Sequence, residues 1–198
     1  MADDVNLSRR KTLVGITAAV GAVGAVGAAV PFVGSWQPSA KAKAAGAAVE
    51  LDISKLEPGQ KLTVEWRGKP VWVVRRPKEV IETLSKNTSI LRDPESNENQ
   101  QPDYAKNAYR SRNAEFLVLV GLCTHLGCSP TFRPELEAAD LGKDWNGGFF
   151  CPCHGSKFDL AGRVFNGVPA PTNLVVPPYF FKTDSVIVIG EDGEEAKA

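Results

Sequence analysis

Two short segments hold nearly all of the ligand chemistry this chain offers. One reads Cys123-Thr124-His125-Leu126-Gly127-Cys128, the other Cys151-Pro152-Cys153-His154-Gly155-Ser156. The chain has four Cys and two His, and all six lie in these segments. Cysteines placed by core packing would be scattered, so the clustering points to a metal, a disulfide or both. Structural zinc favours cysteine pairs roughly two to four residues apart. Here the tightest sets are Cys-x-His and Cys-x2-His, with two cysteines to spare. A thiol–disulfide redox site has about two residues between its cysteines, and Cys151-Pro152-Cys153 has only Pro152 between them.

The remaining reading is an iron–sulfur cluster of Rieske type, in which two thiolates hold one iron and two imidazoles hold the other. Cys123 and His125 from one loop, with Cys151 and His154 from the other, supply that set. Neutral imidazoles in place of anionic thiolates leave the cluster less negative, so an electron enters more easily. The potential rises from about −400 mV in all-Cys plant ferredoxins to about −150 to +300 mV. If both loops converge on one cluster, the spare Cys128 and Cys153 come close enough to bond, and an exported domain would keep that bond. Two free buried thiols are the alternative. Gly127 and Gly155 permit tight turns and close backbone approach to an inorganic core.

A rigid sheet must present these loops. From Val49 the apolar period is two: Val49, Leu51 and Ile53, then Leu62, Val64 and Trp66. Lys61–Trp66 and residues 71–75 flank a hairpin turn at 67–70. Phe116–Val120, 148–150, 179–182 and Val186–Ile189 are further strands. Both ligand loops follow such strands. Residues 77–84 open with Pro and have helical spacing. Residues 87–113, polar and rich in Pro and Asn, read as a surface excursion, and the acidic end, 191–195, as a solvated tail. The expected class is all-β: an antiparallel sandwich head over 49–198 with a small cluster-binding part at about 121–171.

The amino terminus differs in kind. Arg9, Arg10 and Lys11 precede a stretch without charge from residue 12 to residue 40, long enough as a helix to cross a bilayer. Twin arginines before a mildly apolar Gly/Ala segment also look like a Tat signal, and small-x-small sites at residues 40–44 would permit cleavage. The reading is an anchor over 1–34 and an Ala-rich hinge over 35–48, either flexible or weakly helical. Basic residues on the near side place the amino terminus in the cytoplasm and the body outside, which for a Tat-exported chain would be the periplasm beyond a bacterial inner membrane. Lys+Arg and Asp+Glu both total 23, so no overall field argues for a nucleic-acid partner.

These features together resemble the Rieske iron–sulfur subunits of cytochrome bc complexes. The resemblance runs over nearly the whole chain: twin-Arg anchor, Ala-rich hinge, strand-rich head, CTHLGC, CPCHGS and Gly167-Val168-Pro169-Ala170-Pro171. It implies one [2Fe–2S] cluster, with Cys123 and Cys151 on the buried iron and His125 and His154 on the outer one. Cys128–Cys153 is implied as a disulfide bridging the loops. The Ser156 hydroxyl would bond a bridging sulfide, and Pro169, Ala170 and Pro171 would cover the cluster. Leu126 and Gly127 would form the docking tip. His154 would meet the quinol hydroxyl, taking a proton as the cluster takes an electron, because ferric iron acidifies its imidazole and reduction reverses this. The implied partners are cytochrome b, cytochrome c1 and ubiquinol or another quinol, in a dimeric complex. Many relatives carry Tyr where this chain has Phe158, so a ligand-sulfur hydrogen bond is missing and a lower potential is expected. The rivals are the Rieske subunit of an arsenite-oxidase-type enzyme, a soluble Rieske ferredoxin or oxygenase component, and a metal-stabilised binding module without redox function.

Overall fold

The computed structural model describes residues 6–86 and 88–193. Glu194 and Glu195 of the expected acidic tail, and Asn87 at the start of the expected excursion, lie outside them. The chain divides into two units, Met1–Ala44 and Ala45–Ala198.

The first unit holds helix α1, Leu7–Gly34. Asn6 caps it, its side-chain oxygen accepting the Arg9 N–H at 3.0 Å. Its 28 residues span about 42 Å at about 1.5 Å each, more than the roughly 30 Å of a bilayer core. None of its side chains is buried, so the apolar surface is left for a non-protein environment or a partner. After it, Ser39 Oγ accepts the Ala42 N–H at 3.1 Å and opens a single turn, α2 (Ala40–Ala45). This turn occupies part of the expected 35–48 hinge.

The second unit is built from three antiparallel three-stranded sheets. In the first, β1 (Val49–Asp52) pairs with β9 (Val186–Ile189), which pairs with β8 (Tyr179–Thr183). In the second, β2 (Lys61–Trp66) pairs with β3 (Lys69–Arg75), and β3 with β4 (Phe116–Val120). In the third, β5 (Thr131–Leu136) pairs with β6 (Asn146–Cys151), and β6 with β7 (Ser156–Asp159). Helix α3, Lys78–Leu84, buries Val80 and Leu84, with Pro77 standing at its N-cap, one place before the expected first turn position. The fold is all-β with an amino-terminal apolar helix.

Two strands escaped the sequence reading. β5 carries Pro134 and a largely exposed pattern, so it lacks alternation and has a register shift between Arg133 and Leu136. β7 is only SKFD, directly after a ligand loop, and its pairing with β6 defines it. Trp72 of β3 stacks on Phe149 of β6 with ring centroids 5.1 Å apart. This contact joins the second sheet to the third through one continuous core.

The 88–113 segment is more than a surface excursion. It buries Leu91, Ala105, Gln101, Arg110 and Ser111. Arg110 Nη2 donates to the Gln101 side chain at 2.9 Å and to the Leu174 carbonyl at 2.8 Å, while Nη1 reaches the Ala161 carbonyl at 3.1 Å. Arg76 donates to the carbonyls of Ala114, Tyr109 and Leu160 and to the Ser111 hydroxyl. Burial pulls both guanidinium groups down to about 10, still charged at neutral pH. Carbonyl dipoles replace the lost water, which is what makes a buried arginine tolerable.

The Trp72–Phe149 stack should dominate the joint between sheets. Trp72→Ala is expected to lower stability by about 3–5 kcal/mol, the range for removing a buried large aromatic. Denaturant unfolding of the purified protein measures it, and a loss under 1 kcal/mol would contradict this role.

Candidate metal centre

The two ligand loops meet at the third sheet, the first reaching it from the second sheet. One runs from the end of β4 into β5, and the other is the turn between β6 and β7. Their backbones repeat one device. The Gly127 N–H donates to the Cys123 carbonyl at 2.9 Å, and the Gly155 N–H to the Cys151 carbonyl at 2.9 Å. Both glycines sit at positive φ, +82° and +78°, a conformation costly for any other residue here. The Cys123 N–H closes its loop on the Cys128 carbonyl at 2.7 Å.

The side chains divide by depth. Cys123 and Cys151 are 3% and 2% exposed; His125 is half-buried and His154 exposed. The two imidazole rings stand edge to face with centroids 4.7 Å apart. Cys128 and Cys153 form a disulfide, closing 25 residues of chain across the loops. The alternative of two free thiols is therefore removed at this pair, and Cys123 and Cys151 are the free cysteines. The sulfurs of Cys128, Cys151 and Cys153 lie within 4.8 Å of one another, but the disulfide leaves only Cys151 of that trio able to bind a metal.

Two further observations bear on whether a cluster fits. His125 Nδ1 is buried and, among the described residues, has no hydrogen-bond partner. An imidazole nitrogen left so costs free energy unless a ligand takes it. Burial, and then the adjoining Cys123 thiol, push the Cys151 thiol above its ordinary value, while the N–H groups of Cys153 and His154 favour its thiolate. Two buried thiolates side by side repel, and a bound cation is what deprotonates such a pair. The donor set therefore fits a metal group with thiolate ligands on its inner side and imidazoles on its outer side.

The remaining expected residues surround this core. Ser156 is fully buried, and its Oγ accepts the Ala170 N–H at 3.0 Å. Ala170 is itself buried between exposed Pro169 and Pro171, which ties that loop to the ligand loops. Leu126 is 72% exposed beside exposed Gly127, and Phe158 is fully buried on the core face of β7. One contact was not anticipated: the Thr124 hydroxyl donates to the Thr172 carbonyl at 2.7 Å, from between two expected ligands. Nothing in the residue types marks Thr172 as its partner, because the contact joins residues 48 apart through a backbone carbonyl.

Comparison with known proteins gives the same reading. Residues 47–179 match the family described as Rieske [2Fe-2S] domain, and residues 1–39 the family described as Ubiquitinol-cytochrome C reductase Fe-S subunit TAT signal. The ubiquinol-cytochrome c reductase iron-sulfur subunit of Allochromatium vinosum is 62% identical over 191 residues, covering 96% of this chain and 92% of that protein. The subunit of the same name from Rhodospirillum rubrum is 45% identical, covering 92% of each. The mitochondrial cytochrome b-c1 complex subunit Rieske of Schizosaccharomyces pombe is 41% identical, covering 89% of this chain and 68% of that protein. The arsenite-oxidase-type, soluble-ferredoxin and non-redox readings are not favoured by these relatives.

Cross-linking the two loops should matter to the cluster they hold. Closing a loop of this length stabilises by about 3–4 kcal/mol on the chain-entropy estimate. Verified reduction and alkylation of Cys128 and Cys153 is expected to bleach the visible absorbance at a lower denaturant concentration. An unchanged bleaching midpoint would show that the disulfide plays no such part.

Proposed function

From the premise that this chain belongs to the Rieske [2Fe–2S] family, as a membrane-anchored iron–sulfur subunit of a cytochrome bc complex (ubiquinol–cytochrome c reductase), we propose a division of labour among its residues. Cys123 and Cys151 hold the inner iron, and His125 and His154 the outer one. When bound, the [2Fe–2S] cluster supplies one-electron chemistry at a potential raised by its neutral ligands. The observation that carries this assignment is the split in depth, with both free thiols buried and His154 exposed beside His125.

His154 is the contact with quinol. Its outward ring nitrogen receives the hydrogen bond of the quinol hydroxyl and takes its proton, as general-base geometry requires. Exposed Leu126 packs against an apolar docking surface on cytochrome b, keeping water from the contact. Ser156 and the cover at Pro169, Ala170 and Pro171 exclude solvent from the inner side. With the amino terminus in the cytoplasm, the head lies in the periplasm and the 35–48 hinge lets it pass the electron to cytochrome c1. The complex is a dimer, as the partners of such a subunit imply.

Purification from membranes tests the whole reading. Affinity capture of the full chain is expected to bring down b- and c-type cytochromes in a brown complex with the reduced EPR signal of a mixed His/Cys cluster. A colourless, zinc-bearing chain without cytochromes would sink it.

Phe158 sets the potential low by lacking a hydroxyl. Phe158→Tyr is expected to raise the midpoint by about 40 mV, equivalent to about 1 kcal/mol for one hydrogen bond in a one-electron couple. Redox titration followed by EPR measures it, and an unmoved or lowered midpoint contradicts the assignment.

A further inference from the structure

The loop that covers the cluster is closed across its neck from both ends. The Leu174 N–H donates to the Gly162 carbonyl at 2.8 Å, and the Val164 N–H to Asn173 Oδ1 at 2.9 Å. Asn173 is fully buried, and its amide nitrogen donates outward to the Asp93 carbonyl at 3.0 Å. Asp93 belongs to a different part of the chain, and its carboxylate holds the N–H groups of Asn97 and Glu98 at 2.9 and 3.1 Å. Its neighbour Arg92 donates its own N–H to the Val164 carbonyl at 3.0 Å. The Arg92 guanidinium lies across the loop, on the carbonyls of Pro171 at 3.3 Å and Val168 at 3.4 Å. Further along, the Asn166 N–H donates to the Ile90 carbonyl at 2.8 Å.

None of these groups is a candidate ligand; they fix the chain on either side of Ala170. The loop they fix delivers the Ala170 N–H to Ser156 Oγ at 3.0 Å. A serine hydroxyl has one proton and two acceptor lone pairs, so an N–H on a lone pair restricts where the proton can point. Among the described residues, no protein acceptor takes that proton. Accepting a hydrogen bond also makes the hydroxyl a stronger donor. Hydrogen bonds to cluster sulfur favour the reduced state.

We propose that the 89–93 segment is a positioning strap for the cover loop, fastened by Asn173 and Arg92, which sets the cluster's potential by holding the Ala170 amide on Ser156 Oγ. The strap touches neither cluster nor quinol. Its effect on the potential passes mainly through Ser156 rather than through the solvent exclusion of the cover, and it rests on the reading that Ser156 directs its proton at the cluster.

A double-mutant cycle on the full chain in its membrane complex tests this, with the midpoint potential and reduced EPR line shape as readouts. Arg92→Met, at an exposed position, and Asn173→Ala, at a buried one, are each combined with Ser156→Ala. Each strap variant alone is expected to shift the reduction equilibrium two- to threefold toward the oxidised form, about 20–30 mV for a one-electron couple. Neither should add to the downward shift of Ser156→Ala. Should Asn173→Ala fail to assemble, Arg92→Met decides the matter alone. An unmoved midpoint in Arg92→Met, even with faster cluster loss, overturns the proposal, as do shifts that add fully to that of Ser156→Ala. If Ser156→Ala leaves the midpoint unmoved, the Ser156 reading falls and takes this one with it. If Ser156→Ala lowers it and the strap variants do not, only the strap proposal falls.

Discussion

Two cysteine sulfurs held side by side in an apolar interior must meet a cation or remain protonated. Cys123 and Cys151 are in that position, at 3% and 2% exposure, with burial and mutual contact both opposing the thiolate of Cys151. The N–H groups of Cys153 and His154 ease this only in part. Positive charge from a metal centre is what stabilises the pair. On the proposed assignment, much of the head follows from one requirement: the two loops must be held at a fixed separation, close enough for both thiols to share one centre.

The third sheet meets the requirement by making the second loop the turn of the β6–β7 hairpin and leading the first loop directly into β5. The Cys128–Cys153 disulfide then ties loop to loop. Because the loops approach from neighbouring strands, they present thiols inward and at least one imidazole outward. That polarity suits electron transfer. The inner side is closed to solvent, while exposed His154 can meet a partner molecule.

Rigidity at the loops depends on parts of the chain far from them. Buried Arg76 and Arg110 donate to carbonyls at 160, 161 and 174, on either side of the cover loop. An arginine can join several backbone segments at once because its donors fan out in a fixed plane. The Arg110 terminal nitrogens are paired in this way, while its Nε has no partner among the described residues, so removing any of the remaining carbonyls would leave more buried charge uncompensated. The 88–113 segment thus works as interior scaffolding although its composition is that of a loop.

The residues alone determined the chemistry. Four Cys and two His in two tight segments admit few metal groups, because ligand type and spacing are local properties of the chain. The apolar helix α1 was equally legible, since twenty or more residues without charge are rare outside membranes. Strands with clean alternation, such as β1 and β2, were readable because a period of two is also a local property of the chain. β5 and β7 were not, because their identity lies in pairing with β6 rather than in their own sequence. The roles of Arg110, Asn173 and Thr124 were also hidden. Each bonds a backbone carbonyl or amide from another part of the chain, and carbonyls and amides carry no residue-specific signal. Which polar side chains are interior fasteners, and which merely face water, was decided only when tertiary structure brought those distant backbone groups within hydrogen-bonding distance.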